Sequence, residues 1–296
     1  MTAYPFMQVD AFTTKPLSGN ACAVVFDADS LDAATRLAIA KEMNLSETAF
    51  VVHSDIADFG ARYFTPAEEV PLAGHPTIAT IYALIDSGRL KLEDPLTTLS
   101  LELKVGPIPI EIRSERGQVS QIIMSQKKPE FLRRYRAEDV LPVFGLSPDD
   151  ALPNVPIQSV STGTAQLMIP VRGLEVLRRI VLNIPAYAAL RKQGDFFTAH
   201  LFCLEGATSL GQTFARDFVL PPDLIEDPFT GSATGGMGAY LWHYGLIDTP
   251  TFIAEQGHWM GRPGHAYVEV VGRREDIETV KVGGQAVTVL RGELTL

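Results

Sequence analysis

Glu47 stands in the run Asn44-Leu45-Ser46-Glu47-Thr48-Ala49-Phe50, a carboxylate at the head of an apolar segment. Partial burial there raises a carboxyl pKa toward the range in which the group can take and return a proton. An exposed acid at a strand edge has the same local sequence, and acids at strand ends are ordinary. Two glycine corners carry the other candidates, Gly74-His75-Pro76-Thr77 shortly after Glu69 and Gly231-Ser232-Ala233-Thr234 shortly after Glu226-Asp227. A helix that starts at such a corner presents unpaired backbone N–H groups, and the missing Cβ lets an anion approach them. Two such starts facing one cleft would hold a carboxylate. His75 as a neutral imidazole can donate to a substrate or simply cap its helix, and Ser232 has the same two options. Asp227, directly before Pro228, can bind substrate or shape its own turn.

Other chemistries find little to work with. The chain has no glycine-rich nucleotide loop, no Gly-x-Ser-x-Gly elbow and no His-Glu-x-x-His zinc motif. His243, His258 and His265 lack metal spacing and read as surface or packing residues, so no metal is expected. Cys22 and Cys203 are too far apart in sequence to suggest a zinc site or a disulfide framework. A net charge of −10 argues against non-specific nucleic-acid binding, yet helix-start N–H groups can still bind a small carboxylate. The first residues carry no basic segment followed by an apolar stretch, and no run approaches membrane-spanning length, so a cytoplasmic protein with no membrane partner is expected.

The elements that would position these residues follow from periodicity. An apolar strand is expected at 21–26 after the turn Ser18-Gly19-Asn20, and a helix over 31–43 capped by Asp29 or Ser30 and ended by Asn44. Strands follow at 48–53 and 61–64. Residues 77–87 are hydrophobic nearly all round, the mark of a buried helix. Two or three antiparallel strands are expected over 98–124. The charged, proline-containing stretch 127–150 reads as an interdomain crossing, with a boundary near residue 126. A similar order then returns: a strand at 167–171 after Ser161-Thr162-Gly163, a helix around 174–182, strands at 196–204 and 212–218, and an apolar helix from Ser232. Strands at 264–271 and 281–290 close the chain. A whole order of elements recurring once implies duplication rather than a solenoid.

Taken together, several segments resemble the PhzF-like family, which has the diaminopimelate-epimerase fold. They are Val9-Asp10-Ala11-Phe12-Thr13 with Gly19-Asn20-Ala21; Asn44 to Phe50 as quoted; Arg62-Tyr63-Phe64-Thr65-Pro66 with Glu69 and Gly74-His75; and Glu226-Asp227-Pro228 with Thr230-Gly231-Ser232-Ala233. Gln256-Gly257 and Gly261-Arg262-Pro263-Gly264 extend the match. The resemblance implies an α+β fold of two pseudo-symmetric domains, each a curled antiparallel sheet around a central helix. They would span 1–126 and 127–280, with a last strand at about 281–296 returning to the first domain and the active site in the cleft. It further implies Glu47 as the catalytic acid/base, His75, Asp227 and Ser232 as site-lining residues, Gly74 and Gly231 as backbone donors, no cofactor, and a homodimer.

In the best-understood member of that family the reaction isomerises trans-2,3-dihydro-3-hydroxyanthranilate, moving a hydrogen between ring carbons. Fold relatives that racemise amino acids use a cysteine from each domain, whereas here Ala73 and Thr230 precede the two corners. The expectation is therefore a cofactor-independent isomerase acting on a small carboxylated substrate. Its rivals are a racemase, epimerase or dehydratase of an amino or hydroxy acid, and a binding protein without catalysis. The glycine-rich Gly235-Gly236-Met237-Gly238 points to close packing or an altered pocket in the second helix.

Overall fold

Two thirteen-residue segments, Gly74–Asp86 and Gly231–His243, are apolar on nearly every side, and as helices they have no face to give to water. Ten residues of the first and eleven of the second are buried, so each becomes the centre of its own unit. The computed structural model describes residues 1–296. Unit 1 comprises Met1–Ser125, Gly261–Gly264 and Val282–Leu296; unit 2 comprises Gln126–Met260 and His265–Lys281.

In unit 1, β1 (Ala3–Ala11) pairs antiparallel with β2 (Asn20–Val25). The chain then crosses through α1 (Ala33–Met43), and β3 (Glu47–Val52) joins β2 in parallel, with Cys22 opposite Glu47. A parallel pair needs a crossover of about a dozen residues or more, which residues 26–46 supply. β4 (Phe59–Phe64) lies antiparallel to β3, and the two-residue β5 (Glu69–Val70) pairs with its end. After the central helix α2 (Gly74–Asp86) come β6 (Leu96–Leu103), β7 (Gly106–Glu115) and β8 (Gln118–Ser125), an antiparallel meander joined in parallel to β4. α2 packs against β1, β2, β3 and β8, so the strands curl around it.

Side chains alternate across a strand, and that sorts β3. Phe50 and Val52 join the cluster that contains Ile39 and Ala40 of α1, where Phe50 meets Phe64 edge to face at 5.6 Å. Glu47 and Ala49 therefore project to the other face, toward α2.

Unit 2 begins with β9 (Glu130–Tyr135), α3 (Ala137–Val140) and β10 (Ile157–Ser161), which is antiparallel to β9 and to β11 (Ala165–Pro170). α4 (Leu174–Arg178) and α5 (Ile184–Gln193) carry the chain to β12 (Thr198–Cys203), parallel to β11. β13 (Thr213–Phe218), the two-residue β14 (Glu226–Asp227) and the central helix α6 (Gly231–His243) follow, then β15 (Thr251–Gln256), parallel to β13. β16 (Gly264–Arg273) and β17 (Asp276–Gly284) lead to β18 (Ala286–Thr295), which belongs to unit 1 and pairs antiparallel with β1 there. The succession of strand, helical crossover, parallel strand, antiparallel strand, two-residue strand and buried helix occurs once in each unit. Register places Thr198, opposite Gln166, where unit 1 has Glu47 opposite Cys22.

The architecture is the α+β, two-unit arrangement expected from the sequence, with local differences. α1 is capped by Asp32, whose carboxylate accepts from Thr35 N at 2.8 Å, rather than by Asp29 or Ser30; those two lie in a preceding 3-10 turn. β1 and α5 carry too weak a periodic pattern to stand out in the sequence. Residues 127–150 hold β9 and α3 and bury Val140, Leu141 and Phe144, while most of their charged residues are exposed. No helix is long and apolar enough to cross a membrane.

Candidate active site

The Glu47 carboxyl, 16% exposed, faces the first turn of α2, where its Oε2 lies 3.3 Å from His75 Nε2. His75 is nearly buried. Its other nitrogen is claimed by Asn20: the Nδ2 amide donates to His75 Nδ1 at 3.1 Å, and the Ser46 hydroxyl donates to Asn20 Oδ1 at 3.3 Å. With Oδ1 accepting from the serine, Asn20 offers its amide to the ring, so Nδ1 is an acceptor and the single proton of the neutral imidazole sits on Nε2, the nitrogen that approaches Glu47. The short β2 end, the residue before β3 and the start of α2 thus fix one carboxylate and one tautomer.

Arg262 bolts the loop that carries Asn20. Its guanidinium donates to Gly19 O (2.8 Å), Ser18 O (3.0 Å) and the buried Asp10 carboxylate (2.8 Å), which also accepts from Leu17 N at 2.7 Å. Gly19 has φ +59°, and a Cβ there would come within 2.1 Å of Ala11 O, so the loop can turn this tightly only at glycine.

α2 starts at Gly74 after Ala73, and no side chain caps it; Thr77 spends its hydroxyl on Ala73 O instead (2.8 Å). α6 repeats this at Gly231, where Thr234 bonds Thr230 O at 2.9 Å. Within unit 2, Asp227 Oδ2 accepts from Thr230 Oγ1 at 2.5 Å, and the Gln256 side chain clamps the turn, donating to Asp227 O (2.7 Å) and accepting from Thr230 N (3.2 Å). Gln166, at the register position that Cys22 holds in unit 1, donates to Ser232 Oγ at 3.0 Å, a bond to the second residue of the helix as Asn20 makes to His75. Gln126, buried, donates to Gly231 O at 2.9 Å. The glycines of α6 answer to packing: a Cβ on Gly235 would fall 1.9 Å from Gln126 Oε1, and one on Gly238 would fall 2.8 Å from Val268.

Glu47 and His75 are thus neighbours in unit 1, and Asp227, Gly231 and Ser232 share one corner of unit 2. Asn20, Ser46, Gln166, Gln256 and Arg262 had no role assigned from sequence, although Asn20, Ser46, Gln256 and Arg262 lie in the segments that carry the family resemblance. Cys22 is buried beside Glu47. Burial first, and the Glu47 charge after it, push its thiol well above the ordinary range, so it stays protonated. Cys203 is likewise pushed up by burial, to about 11. Of the scattered histidines, His243 stacks on Phe131 at 4.2 Å and His258 meets Phe214 edge-on at 5.6 Å.

Comparison with known proteins gives a consistent result. The PhzC-PhzF family model, described as phenazine biosynthesis-like protein, matches residues 9–292. An uncharacterized isomerase of Clostridium acetobutylicum is 34% identical over 99% of this chain and 98% of its own. The trans-2,3-dihydro-3-hydroxyanthranilate isomerase of Pseudomonas fluorescens is 33% identical over 98% of this chain and 99% of its own. Among solved structures, the phenazine biosynthesis protein of the PhzF family from Bacillus anthracis superposes with a TM-score of 0.89 at 34% identity, covering 100% of both chains.

Proposed function

This chain belongs to the PhzC-PhzF family and is an isomerase of that family, and on that premise we propose that it works without a cofactor, Glu47 carrying a proton between two carbons of a small carboxylated substrate. The observation that carries this reading is the contact of Glu47 with His75, whose proton is fixed on Nε2 by Asn20. The carboxylate takes a proton from an acidic C–H, and the electron pair left behind spreads through the conjugated system of the substrate. Protonated Glu47 then gives the same proton to a different carbon, so no atom is gained or lost and only the unsaturation moves. His75, its Nε2 3.3 Å from the carboxyl, positions it by electrostatic contact. Within unit 1 the backbone N–H groups at Gly74 stabilise the substrate carboxylate, and within unit 2 Asp227, Ser232 and the N–H groups at Gly231 form a corner with the same capacity for polar groups.

Trans-2,3-dihydro-3-hydroxyanthranilate is the first substrate to try, since a relative of matching length is named for it. A two-base racemase is the rival on the same scaffold. It is disfavoured because Ala73 and Thr230 stand at the two corners and the pseudo-symmetric partner of Glu47 is Thr198, which is no base at neutral pH.

The test is mass spectrometry of the purified protein with that compound and with a panel of cyclic and amino carboxylic acids in heavy water. An isomerase moves the position of unsaturation; a racemase washes deuterium into a stereocentre; a binding protein does neither. Glu47→Gln should reduce turnover by about 10²- to 10⁴-fold while the protein stays folded. A fully active variant removes Glu47 from the mechanism.

A further inference from the structure

Across three neighbouring strands of unit 2, His200, Asp217 and Asp227 stand side by side. His200 is the register partner of Asp217 between β12 and β13, and Asp217 is that of Asp227 between β13 and β14. Directly opposed residues of an antiparallel pair project from the same face, with Cβ atoms about 4.5–5.5 Å apart. The three side chains therefore form one lateral row. It lies on the face toward α6, because Phe202, two residues along from His200, meets Tyr240 of α6 at 5.7 Å.

His200 and Asp217 have no exposed side-chain surface, and Asp227 is itself buried. His200 Nδ1 lies 2.9 Å from Asp217 Oδ2, and the Thr198 hydroxyl donates to the same oxygen at 3.1 Å. Asp217 Oδ1 and His200 Nε2 have no hydrogen-bond partner in the chain. The fold does not demand this row. At the matching positions of unit 1 it is built from Ala49, Tyr63 and Val70. Two ionisable groups carried to zero exposure cost several kcal/mol each to desolvate if charged, so a pair serving packing alone would be better replaced by apolar side chains.

We propose that His200 and Asp217 form a buried proton-holding pair, and that the neighbouring Asp227 carboxylate helps the pair to keep its proton. With one proton between them the pair is neutral in either arrangement, imidazolium beside carboxylate or imidazole beside carboxylic acid. When that proton leaves, a buried negative charge appears next to Asp227, and the Asp227 charge opposes that loss. Burial chiefly, with Asp227 adding to it, pushes the Asp217 carboxyl up to about 6, against the pull of His200, so the step falls within reach of neutral pH. The other ionisable groups nearby are engaged elsewhere. The Tyr187 hydroxyl of α5 donates to Phe218 O, the Tyr240 hydroxyl of α6 donates to Pro156 O, and Arg216 and Glu226 close on each other in a bidentate pair.

The test is a pH titration of side-chain carboxyl ¹³C shifts in the full chain, with Asp217 and Asp227 assigned through backbone correlations. In the unaltered protein the Asp217 carboxyl should titrate near 6, well above the ordinary carboxylate range. In Asp227→Asn the Asp217 midpoint should fall by about half a pH unit or more. An Asp217 midpoint in the range of a free carboxyl in the unaltered protein, or one that Asp227→Asn leaves unmoved, would overturn the proposal. Glu47→Gln should leave the coupling intact. A Glu47→Gln protein that remains active would end the isomerase mechanism above and leave this coupling standing, so the two failures are separable.

Discussion

Asn20 Nδ2 lies 3.1 Å from His75 Nδ1, and this contact between residues 55 positions apart decides which nitrogen of the ring presents a proton to Glu47. The relationship is testable by inverting it. In Asn20→Asp a carboxylate accepts from Nδ1–H, so the neutral ring turns a bare Nε2 toward the Glu47 carboxylate and repels it. The proton aimed at Glu47 then exists only in the imidazolium form, which acid pH favours. Turnover should drop by roughly tenfold at pH 8 and recover as the pH is lowered toward 6. A pH–rate profile matching the unaltered enzyme would show that Asn20 does not set the tautomer.

Arg262 should matter to both stability and rate, through Asp10 and the loop of Ser18 and Gly19. Arg262→Met leaves the Asp10 carboxylate, 1% exposed, with Leu17 N as its remaining described donor. Removing one partner of a buried charge pair costs about 3–5 kcal/mol; the partial exposure of Arg262 puts the expected loss at the lower end, near 3 kcal/mol by urea unfolding. Arg262→Lys keeps the charge but cannot span the three acceptors. It should recover part of the stability and little of the rate, since the loop that carries Asn20 stays loose. Equal recovery of both would show that charge alone, not the multiple bonds, holds the loop.

Much of this was legible in the sequence, and the rest was hidden for a physical reason. The two central helices announce themselves because residues around 77–87 and from Ser232 onward are apolar on every side, and the strand beginning at Glu47 shows in its apolar run. β1 does not, since its place is fixed by pairing with β2 and β18, the latter some 280 positions away. The parallel joining of β2 to β3 is equally silent in local pattern, yet it alone puts Cys22 beside Glu47. The same holds for the supports of the site. Arg262 reaches Asp10 across 252 positions, and no spacing rule links Gln166 to Ser232. Residue type signalled the acid and the two glycine corners; register supplied everything that orients them.

The glycines of α6 separate two kinds of close packing. Ala at an interior helix position gains about 1 kcal/mol over Gly, so either substitution helps unless space forbids it. At Gly236 the new methyl meets the Met168 Cε at 2.8 Å, the free end of a flexible side chain that can move aside. At Gly235 it meets the Gln126 amide, which is buried and bonded to Gly231 O and Thr162 Oγ1. Gly235→Ala should therefore destabilise by about 1–3 kcal/mol, and Gly236→Ala should be neutral or slightly stabilising. Thermal denaturation of the two variants checks the order, and a reversed order would refute the packing argument.

Asp217 gives a stability prediction independent of turnover. Its folded carboxyl titrates at about 6, raised chiefly by burial, against about 3.9 in an unfolded chain. The folded state thus holds the proton more tightly. Below about pH 4 both states are protonated and the contribution of this proton is fully present. As pH rises from 4 to 6 the unfolded chain releases its proton first, and that contribution is lost; above 6 the loss is complete. A difference of about two pH units corresponds to roughly 3 kcal/mol. Asp217→Asn titrates in neither state, so changes at groups remote from His200 and Asp227 cancel when the two proteins are compared. The unaltered protein should lose roughly 2–3 kcal/mol relative to Asp217→Asn between pH 4 and pH 7, read from urea unfolding at each pH. A constant gap across that range would mean that the carboxyl ionises in the folded protein as easily as in water, and that His200 fully offsets its burial.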